Sequence, residues 1–386
     1  MKNRLSNEVS GQFQARRSFL RTAGAASAMA ATSPALFAQS PAARSPMVAQ
    51  IVDSSNQNQD ISKDFLVGSR TAWQEINAAG GLRGQVIRHA VLETDGSASQ
   101  VDAAWTQLRA DSNCLASFGA CADAVAVTLS ARSRVDSSEL AQVAPWLQSA
   151  LPEQTLNTLV IFSNREQQLE HALKRMSTVG MDRITVVYQS ESERRLNTAD
   201  IQRLAQSLKI GLSEMPVQPD LTLQAQQISN TNVPLVLFVG GTPELVQFTR
   251  GWNKGNMMRY IIALADVNLA TAQQMIGNRH VPVIGTQAVP VVSSALPIVR
   301  RYRQALAKYY DEPPTALSLA GYLSARYTAQ VLLNVRGNLN RSTAYEAFLR
   351  RQSIDLEGFR VSYENGKLQN AFVTQSMLSA DGRSLG

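Results

Sequence analysis

The stretch Gln74-Glu75-Ile76-Asn77-Ala78-Ala79-Gly80-Gly81-Leu82-Arg83-Gly84-Gln85 decides how this chain folds. The apolar residues that lead into it recur at spacings of three and four, which places them on one helix face; they are Ile61, Phe65, Gly68, Ala72 and, within the stretch, Ile76. Gly80-Gly81 is typical of a helix end. Candidate strands lie on either side, at Met47 to Val52 and at Val86 to Leu92. The stretch therefore predicts a β-α-β unit.

The same alternation of strand and helix continues outward from this unit. Apolar runs such as Ile184 to Tyr188 and Leu235 to Val239 are typical of strands in a parallel sheet that is covered on both faces. The last part of the chain shows three segments of helical period and then two strand-like runs, at 296–310, 315–336, 341–351, 359–363 and 368–375. We therefore expect an α/β protein with two parallel sheets.

Length and composition favour a soluble protein with two domains. The 386 residues are 44% apolar and 17% charged, which is enough apolar mass for two cores. The net charge of +7 suggests nucleic-acid binding, but residues 1–38 hold five basic residues and one acidic residue, so the remainder carries only +3. The two cysteines and three scattered histidines form neither a disulfide framework nor the spacing of a zinc site. We expect no nucleic-acid partner and no bound metal.

Residues 1–38 have the pattern of an export signal peptide. A polar, basic start precedes a modestly apolar stretch from Ala23 to Phe37, which is too short and too weakly apolar to span a bilayer. The core Arg16-Arg17-Ser18-Phe19-Leu20-Arg21 resembles the twin-arginine export signal, which is an address and not an anchor. A basic amphipathic surface helix is the alternative. The resemblance implies export to the periplasm by the twin-arginine pathway, with cleavage after Ala38 or near Ser33-Pro34-Ala35.

Several segments, taken in order, resemble the branched-chain amino acid (Leu/Ile/Val-binding) type of periplasmic solute-binding protein. The stretch 74–85 is similar to the segment with which that family ends its first helix and starts its second strand. Later segments are similar to the strand that crosses between lobes, to the helix after it and to the start of the next helix, at 281–290, 297–309 and 318–326. The similarity extends over residues 47–386, so the chain is identified as a member of this family.

The resemblance implies a type I periplasmic binding fold. This is an α/β fold in which two Rossmann-like lobes with parallel sheets are joined by a three-segment hinge. In the family's chain path, lobe one comprises residues 47–163 and 288–356, and lobe two comprises residues 164–287 and 357–386.

The resemblance also implies a function in ABC transport. The protein would be a monomer without a cofactor that holds a small polar solute, such as an amino acid or an amide, between its lobes and delivers it to an inner-membrane ABC permease. A sensor subunit that presents the solute to a membrane receptor is the alternative. An enzyme is not expected, because the chain lacks a Gly-x-Ser-x-Gly elbow, a His-Glu-x-x-His motif, a phosphate-binding Gly-x-x-x-x-Gly-Lys loop and a dinucleotide Gly-x-Gly-x-x-Gly motif.

Candidate ligand-binding residues lie on loops that follow strands, because ligands of open α/β sheets bind beyond the carboxyl ends of the strands. They are Ser54, Ser55, Cys121, Asp123 and Trp146 in lobe one, and Ser190, Thr242 and Asp266 in lobe two. Trp146 either stacks on a flat ligand or covers the edge of the core. Cys114 and Cys121 flank a strand of roughly six residues, which should hold their Cα atoms beyond the roughly 7 Å that a disulfide spans.

The resemblance implies roles for several of these residues. The family commonly has a hydroxyl side chain after its third strand, where this chain has Cys121 and Asp123; Asp123 would repel a ligand carboxylate unless it caps the helix. Asp266 is close to the family's amine-binding carboxylate, and is alternatively a helix cap. Thr242 stands where the family often has an aromatic or polar contact residue, and is alternatively a cap before Pro243. We expect a ligand that is neutral or carries an amine or amide, over a simple aliphatic amino acid.

Overall fold

A computed structural model describes residues 45–150, 156–253, 259–277, 282–369, 371–378 and 384–385. The expected export signal, residues 1–38, lies outside these ranges. All described residues belong to one compact unit, Arg44–Gly386. No helix in the described ranges combines the length and the apolar character that a membrane span requires.

The first sheet is parallel and forms the centre of the first lobe. The strands of this sheet and the helices that connect them are β1 (Met47–Asp53), α1 (Gln59–Ala78), β2 (Arg88–Thr94), α2 (Ala98–Ala110), β3 (Cys114–Phe118), α3 (Asp123–Val135), β4 (Gln142–Val143) and β5 (Thr158–Leu159). The strands lie in the order β2-β1-β3-β4-β5 with parallel pairing. Alternate side chains of β1 enter different cores, since Val48 and Val52 pack on the α1 side, and Ala49 and Ile51 pack with α2 and α3.

The second sheet is formed by the middle of the chain. Its elements are α4 (Arg165–Thr178), β6 (Arg183–Tyr188), α5 (Glu191–Ser207), β7 (Gly211–Glu214), α6 (Leu221–Ser229), β8 (Leu235–Val239), α7 (Thr242–Gly251), β9 (Tyr260–Ala263), α8 (Leu269–Ile276) and β10 (Val283–Gln287). These strands lie in the order β10-β9-β8-β6-β7 with parallel pairing. Every residue of β8 is buried, as its continuous apolar sequence predicts.

The end of the chain contributes to both lobes. Its elements are α9 (Pro297–Tyr309), α10 (Ala316–Leu333), α11 (Arg341–Leu349), β11 (Ile354–Leu356), β12 (Phe359–Glu364), β13 (Lys367–Gln369), β14 (Thr374–Leu378) and β15 (Ser384–Leu385). Strands β11, β12 and β13 form a small antiparallel sheet. Strand β14 pairs antiparallel with β10 at the edge of the second sheet, and β15 pairs with β14.

The predicted α/β class with two sheets of mainly parallel strands is confirmed. The three late helices also lie where the sequence predicts them, as α9, α10 and α11. The end of the chain differs from the prediction in two respects. The expected strand 368–375 is divided between β13 and β14, which belong to different sheets. Phe359 and Val361, which were expected in lobe two, pack in the core of the first lobe, so the chain crosses to the second sheet only after Gln369.

Helices α1 and α10 approach each other closely through two glycines. A Cβ atom on Gly68 would lie 1.7 Å from the backbone oxygen of Ser318, and one on Gly321 would lie 1.9 Å from the backbone oxygen of Phe65. Such distances exclude any side chain larger than hydrogen. This contact fixes the helix that leads into the stretch 74–85.

The stretch 74–85 joins this helix pair to the first sheet. Glu75 accepts hydrogen bonds from Arg301 Nε at 2.8 Å and from the Tyr322 hydroxyl at 2.5 Å. The Asn77 side chain exchanges two hydrogen bonds with the backbone of Ile87, each 2.9 Å long. These bonds hold the turn after α1 and so set the start of β2 beside β1.

Candidate functional site

A polar cleft of about 230 Å³ lies beyond the carboxyl ends of the strands of both sheets. The first lobe lines it with Gln57, Asn58, Ile61, Ala122, Asp123, Ala124, Trp146 and Gln148. The second lobe lines it with Arg165, Gln189, Glu193, Gly240, Gly241, Glu244 and Asp266. Of the residues that the sequence singles out, the cleft brings together Asp123, Trp146 and Asp266.

Ser54 and Ser55 lie in the turn after β1 and do not line the cleft. The Ser54 hydroxyl donates to the backbone oxygen of Thr94 at 3.0 Å. The Ser55 backbone N–H donates to Asp53 Oδ1 at 2.8 Å. Both serines therefore fix the loop through which the chain enters α1.

Ser190 and Thr242 also lie outside the cleft lining. The Ser190 hydroxyl caps α5, where it accepts a hydrogen bond from the Glu193 backbone N–H at 3.2 Å. Thr242 is buried, and its hydroxyl accepts from the backbone N–H of Asn268 at 2.9 Å. Asn268 in turn caps α8, which leaves Asp266 free of that role.

Cys121 lies in the wall behind the cleft. It is fully buried and forms isolated parallel bridges with Val52 and Trp146. Burial raises the pKa of its thiol to about 12, so it remains a protonated and unreactive thiol. The backbone near this bridge is left-handed at two alanines, with φ of 84° at Ala122 and 48° at Ala144. Strain of this kind is concentrated at ligand sites.

Trp146 and Gln148 present two donors without acceptors. Trp146 is 2% exposed and packs against Phe65 and Phe162, with ring centroids 6.1 and 5.1 Å away. Gln148 is 3% exposed, and its Oε1 accepts from Gln168 Nε2 at 2.6 Å. Within the described part of the chain, neither Trp146 Nε1 nor Gln148 Nε2 has a hydrogen-bond partner. Buried polar groups are normally paired, so these two are open to a ligand or to water.

Asp123 is the first residue of α3, and its carboxylate holds the neighbouring loop. Oδ1 accepts from the Gln148 backbone N–H at 2.6 Å, and Oδ2 accepts from the backbone N–H and the hydroxyl of Ser149 at 3.1 and 2.6 Å. Burial, and then the nearby charge of Asp266, raise the pKa of Asp123 above its ordinary value. The carboxylate is thus used within the protein, and it fixes the position of Gln148.

Arg165 is paired with acids of the second lobe. Its Nη2 lies 2.8 Å from Asp266 Oδ1 and its Nε 3.2 Å from Asp266 Oδ2, while Nη1 lies 3.4 Å from Glu193 Oε2. Burial disfavours the charged guanidinium, but Asp266 and Glu193 outweigh burial and raise the pKa of Arg165. Burial also raises the pKa of Glu193, although Arg165 opposes this. In the described ranges, no group of three or more His, Cys, Asp or Glu residues is arranged to hold a metal ion.

Sequence reasoning did not single out Arg165, Glu193 or Glu244 as site residues. All three lie in the first turn of a helix that begins at the carboxyl edge of the second sheet. The signal for two of these helix starts was present: Asn164 and Gln167 form a capping box, and Ser190 caps α5. What the chain does not reveal locally is the pairing of Arg165 with Asp266, which lies 101 residues away.

Gln168 joins the two lobes behind the cleft. Its Nε2 donates to Gln148 Oε1 and to the backbone oxygen of Ser163, at 2.6 and 3.1 Å. Its Oε1 accepts from the backbone N–H of Ala265 at 3.0 Å. One fully buried side chain therefore contacts the cleft floor, the chain entering α4 and the loop after β9.

Residues 47–376 match the family described as periplasmic binding protein. No curated protein matches the chain. The fold is similar to that of an extracellular ligand-binding receptor from Verminephrobacter eiseniae, with a TM-score of 0.80, 19% identity, and coverage of 89% of this chain and 100% of that chain.

Two further solved structures are similar in fold. For a substrate-binding periplasmic protein from Ralstonia solanacearum, the TM-score is 0.77 at 16% identity, with coverage of 88% of this chain and 99% of that chain. For a possible leucine/isoleucine/valine-binding protein from Rhodopirellula baltica, the TM-score is 0.75 at 16% identity, with coverage of 88% and 96%.

Proposed function

Because the chain belongs to the periplasmic binding protein family, we propose that it is the extracytoplasmic solute-binding component of an ABC importer. The family consists of solute-binding proteins and not enzymes, as the sequence predicted. The observation that carries the proposal is the polar cleft, to which both lobes contribute side chains. Clefts at this edge of open α/β sheets are the usual ligand sites.

The proposed mechanism is closure of the two lobes around a solute. A solute that contacts both lobes binds the closed form more tightly than the open form and so shifts the population toward closure. The closed form is then recognised by the inner-membrane permease. Lobe one comprises residues 47–163 and 288–369 in this proposal, and lobe two residues 164–287 and the chain from 374 onward.

A small polar solute is proposed, either neutral or carrying an amine or amide group. The unpartnered donors of Trp146 and Gln148 favour an oxygen acceptor on the solute. The acids of the second lobe favour a nitrogen donor. The resemblance to the branched-chain amino acid type supports an amino acid or a derivative of one.

A thermal-shift screen tests solute binding, with amino acids, amides, ureas, polyamines and aromatic acids as probes. At least one compound should raise the melting temperature by mass action. Trp146→Phe should weaken that compound roughly fivefold in Kd, because one hydrogen bond is worth about 1 kcal/mol.

Trp252→Phe is the matched control. Trp252 Nε1 also lacks a partner in the described part of the chain, but Trp252 packs beside Phe248 and does not line the cleft. Its Kd should equal that of the unmodified protein. The proposal fails if no compound stabilises the protein, or if both variants weaken binding equally.

We also propose that the protein reaches the periplasm by the twin-arginine pathway as a monomer. Replacing Arg16 and Arg17 together by Lys should retain the precursor in the cytoplasm, because the pathway reads that pair. Cell fractionation with an immunoblot measures this. Arg132→Lys with Arg134→Lys, two exposed positions on α3, is the control and should leave export unchanged. Normal secretion of the Arg16 and Arg17 variant contradicts the pathway.

A further inference from the structure

The acids of the second lobe differ in whether the protein itself uses them. Both oxygens of Asp266 are bound by Arg165. Glu193 Oε2 lies 3.4 Å from Arg165 Nη1 and accepts from Asn197 Nδ2 at 3.0 Å. Glu244 makes no hydrogen bond or ion pair with any described residue, although it is partly buried and lines the cleft. Glu244 is therefore the carboxylate of this face that remains available.

The start of α7 explains why Glu244 is available. Gly241 caps this helix, so Glu244 occupies the third helical position, where a glutamate usually accepts a hydrogen bond from the backbone N–H of the capping residue. Here Gln189 Oε1 accepts that N–H at 2.7 Å. A Cβ atom on Gly241 would lie 3.0 Å from Glu244 Oε2, so the carboxylate lies beside the helix start without bonding its cap. Gln189 therefore accepts the backbone N–H of the helix cap in place of Glu244, and the Glu244 carboxylate is left without that bond.

The opposite face of the cleft has the complementary polarity. Trp146 Nε1 and Gln148 Nε2 are donors without acceptors, on side chains that are 98% and 97% buried. Asp123 on the same face is fully used by the loop at Gln148 and Ser149. The first lobe therefore offers donors to a solute, and the second lobe offers a free carboxylate.

The charge of the lining favours a cation. Among the described residues, the lining of the cleft includes the acids Asp123, Glu193, Glu244 and Asp266 and one base, Arg165. This excess of negative charge would repel a carboxylate on the solute. It would attract a positively charged solute.

We propose that Glu244 selects the solute by binding its cationic nitrogen, and that the solute class is a monocation whose other polar end is a neutral oxygen acceptor, such as an amino amide. This rests on the proposed function. Trp146 and Gln148 take the oxygen acceptor. Asp266 does not take the nitrogen, because both of its oxygens accept from Arg165.

Matched sets of three compounds test this with isothermal titration calorimetry. Each set shares the side chain of alanine, leucine or phenylalanine and comprises the free amino acid, its amide and the corresponding amide without the amino group. In at least one set the amino amide should bind tenfold or more tighter than both other members. Glu244→Gln should remove that advantage, since charge-assisted hydrogen bonds of this kind are worth about tenfold or more, and should change the Kd of the neutral amide less than about twofold.

Glu170→Gln on α4 is the control, because the Glu170 side chain is 44% exposed, pairs only with Lys174 in the described ranges and lies outside the cleft. It should leave all affinities unchanged. Free amino acids that bind as tightly as their amides, or a preference that survives Glu244→Gln, overturn the inference and leave the solute-binding function standing. If neither these compounds nor any compound of the thermal-shift panel binds, both the inference and the proposed solute-binding function are contradicted. An unchanged melting temperature of the unliganded Glu244→Gln protein shows that it folds.

Discussion

The contact between α1 and α10 and the cleft both hold partly buried charged side chains, but they differ in how completely those side chains are paired. At the helix contact, each carboxylate oxygen of Glu75 has a hydrogen-bond donor. In the cleft, Trp146 and Gln148 hold donors without acceptors in the described part of the chain, and Glu244 has no donor there. A complete cluster fixes the fold, whereas an incomplete one leaves hydrogen-bonding capacity for a solute.

Removal of Arg165, the one base among the described residues of the cleft, should have the largest effect. Arg165→Met leaves Asp266 and Glu193 without their cation, and the Arg165 and Asp266 side chains are only 12% and 19% exposed. We expect the free energy of unfolding to fall by about 3 to 5 kcal/mol. Urea denaturation measures the loss. Adding Asp266→Leu to Arg165→Met should restore much of it, and a single-variant loss below about 1 kcal/mol contradicts the pairing.

The helix contact gives the next largest effect. Gly321→Ala should lower the free energy of unfolding by about 3 kcal/mol, because its Cβ meets the backbone of α1 and not a movable side chain. Gly337→Ala is the control: nothing lies within 4 Å of its Cβ, and only its φ of 76° disfavours alanine, at about 1 kcal/mol. Equal losses in the two variants would contradict the prediction that the close approach of α1 and α10 makes Gly321→Ala the more destabilising change.

The smallest expected effect is a pH dependence of stability that arises from Asp123 in the cleft. The folded pKa of Asp123 is raised by burial and by Asp266. The stability that the protonated Asp123 carboxyl contributes is therefore fully present below its unfolded pKa of about 4. This stability is lost as pH rises through the folded pKa. Relative to the unmodified protein, Asp123→Asn should gain stability as pH rises over this window. Urea titrations between about pH 4 and pH 8 measure the difference, and a pH-independent difference contradicts the raised pKa.

The sequence predicts the helices and strands of the scaffold well because local residue patterns determine them. The helix stripe up to Ile76, the Gly80-Gly81 end and the apolar run of β8 each follow from neighbouring residues. The resemblance carried by stretch 74–85 has a physical basis in the bonds of Glu75 and Asn77. Local periodicity and turn chemistry are therefore sufficient for the α/β class.

The contacts within the cleft depend on residues far apart in the chain, which is why the sequence identifies them less well. Asp266 follows a strand, as a ligand acid should, but its partner Arg165 lies 101 positions away. Thr242 stands at the expected loop, yet its hydroxyl turns inward to Asn268. The local sequence does not indicate that Gln189 accepts the hydrogen bond from the Gly241 backbone N–H, which Glu244 would otherwise accept.

The three hydrogen bonds of Gln168 constrain how the lobes can rotate. A rigid-body rotation leaves in place only those points that lie near its axis. Gln168 bonds Gln148, the backbone at Ser163 and the backbone at Ala265. Any opening that keeps these bonds must therefore have its axis close to Gln168, so that the buried end of the cleft behaves as a pivot while its outer rim makes the widest excursion.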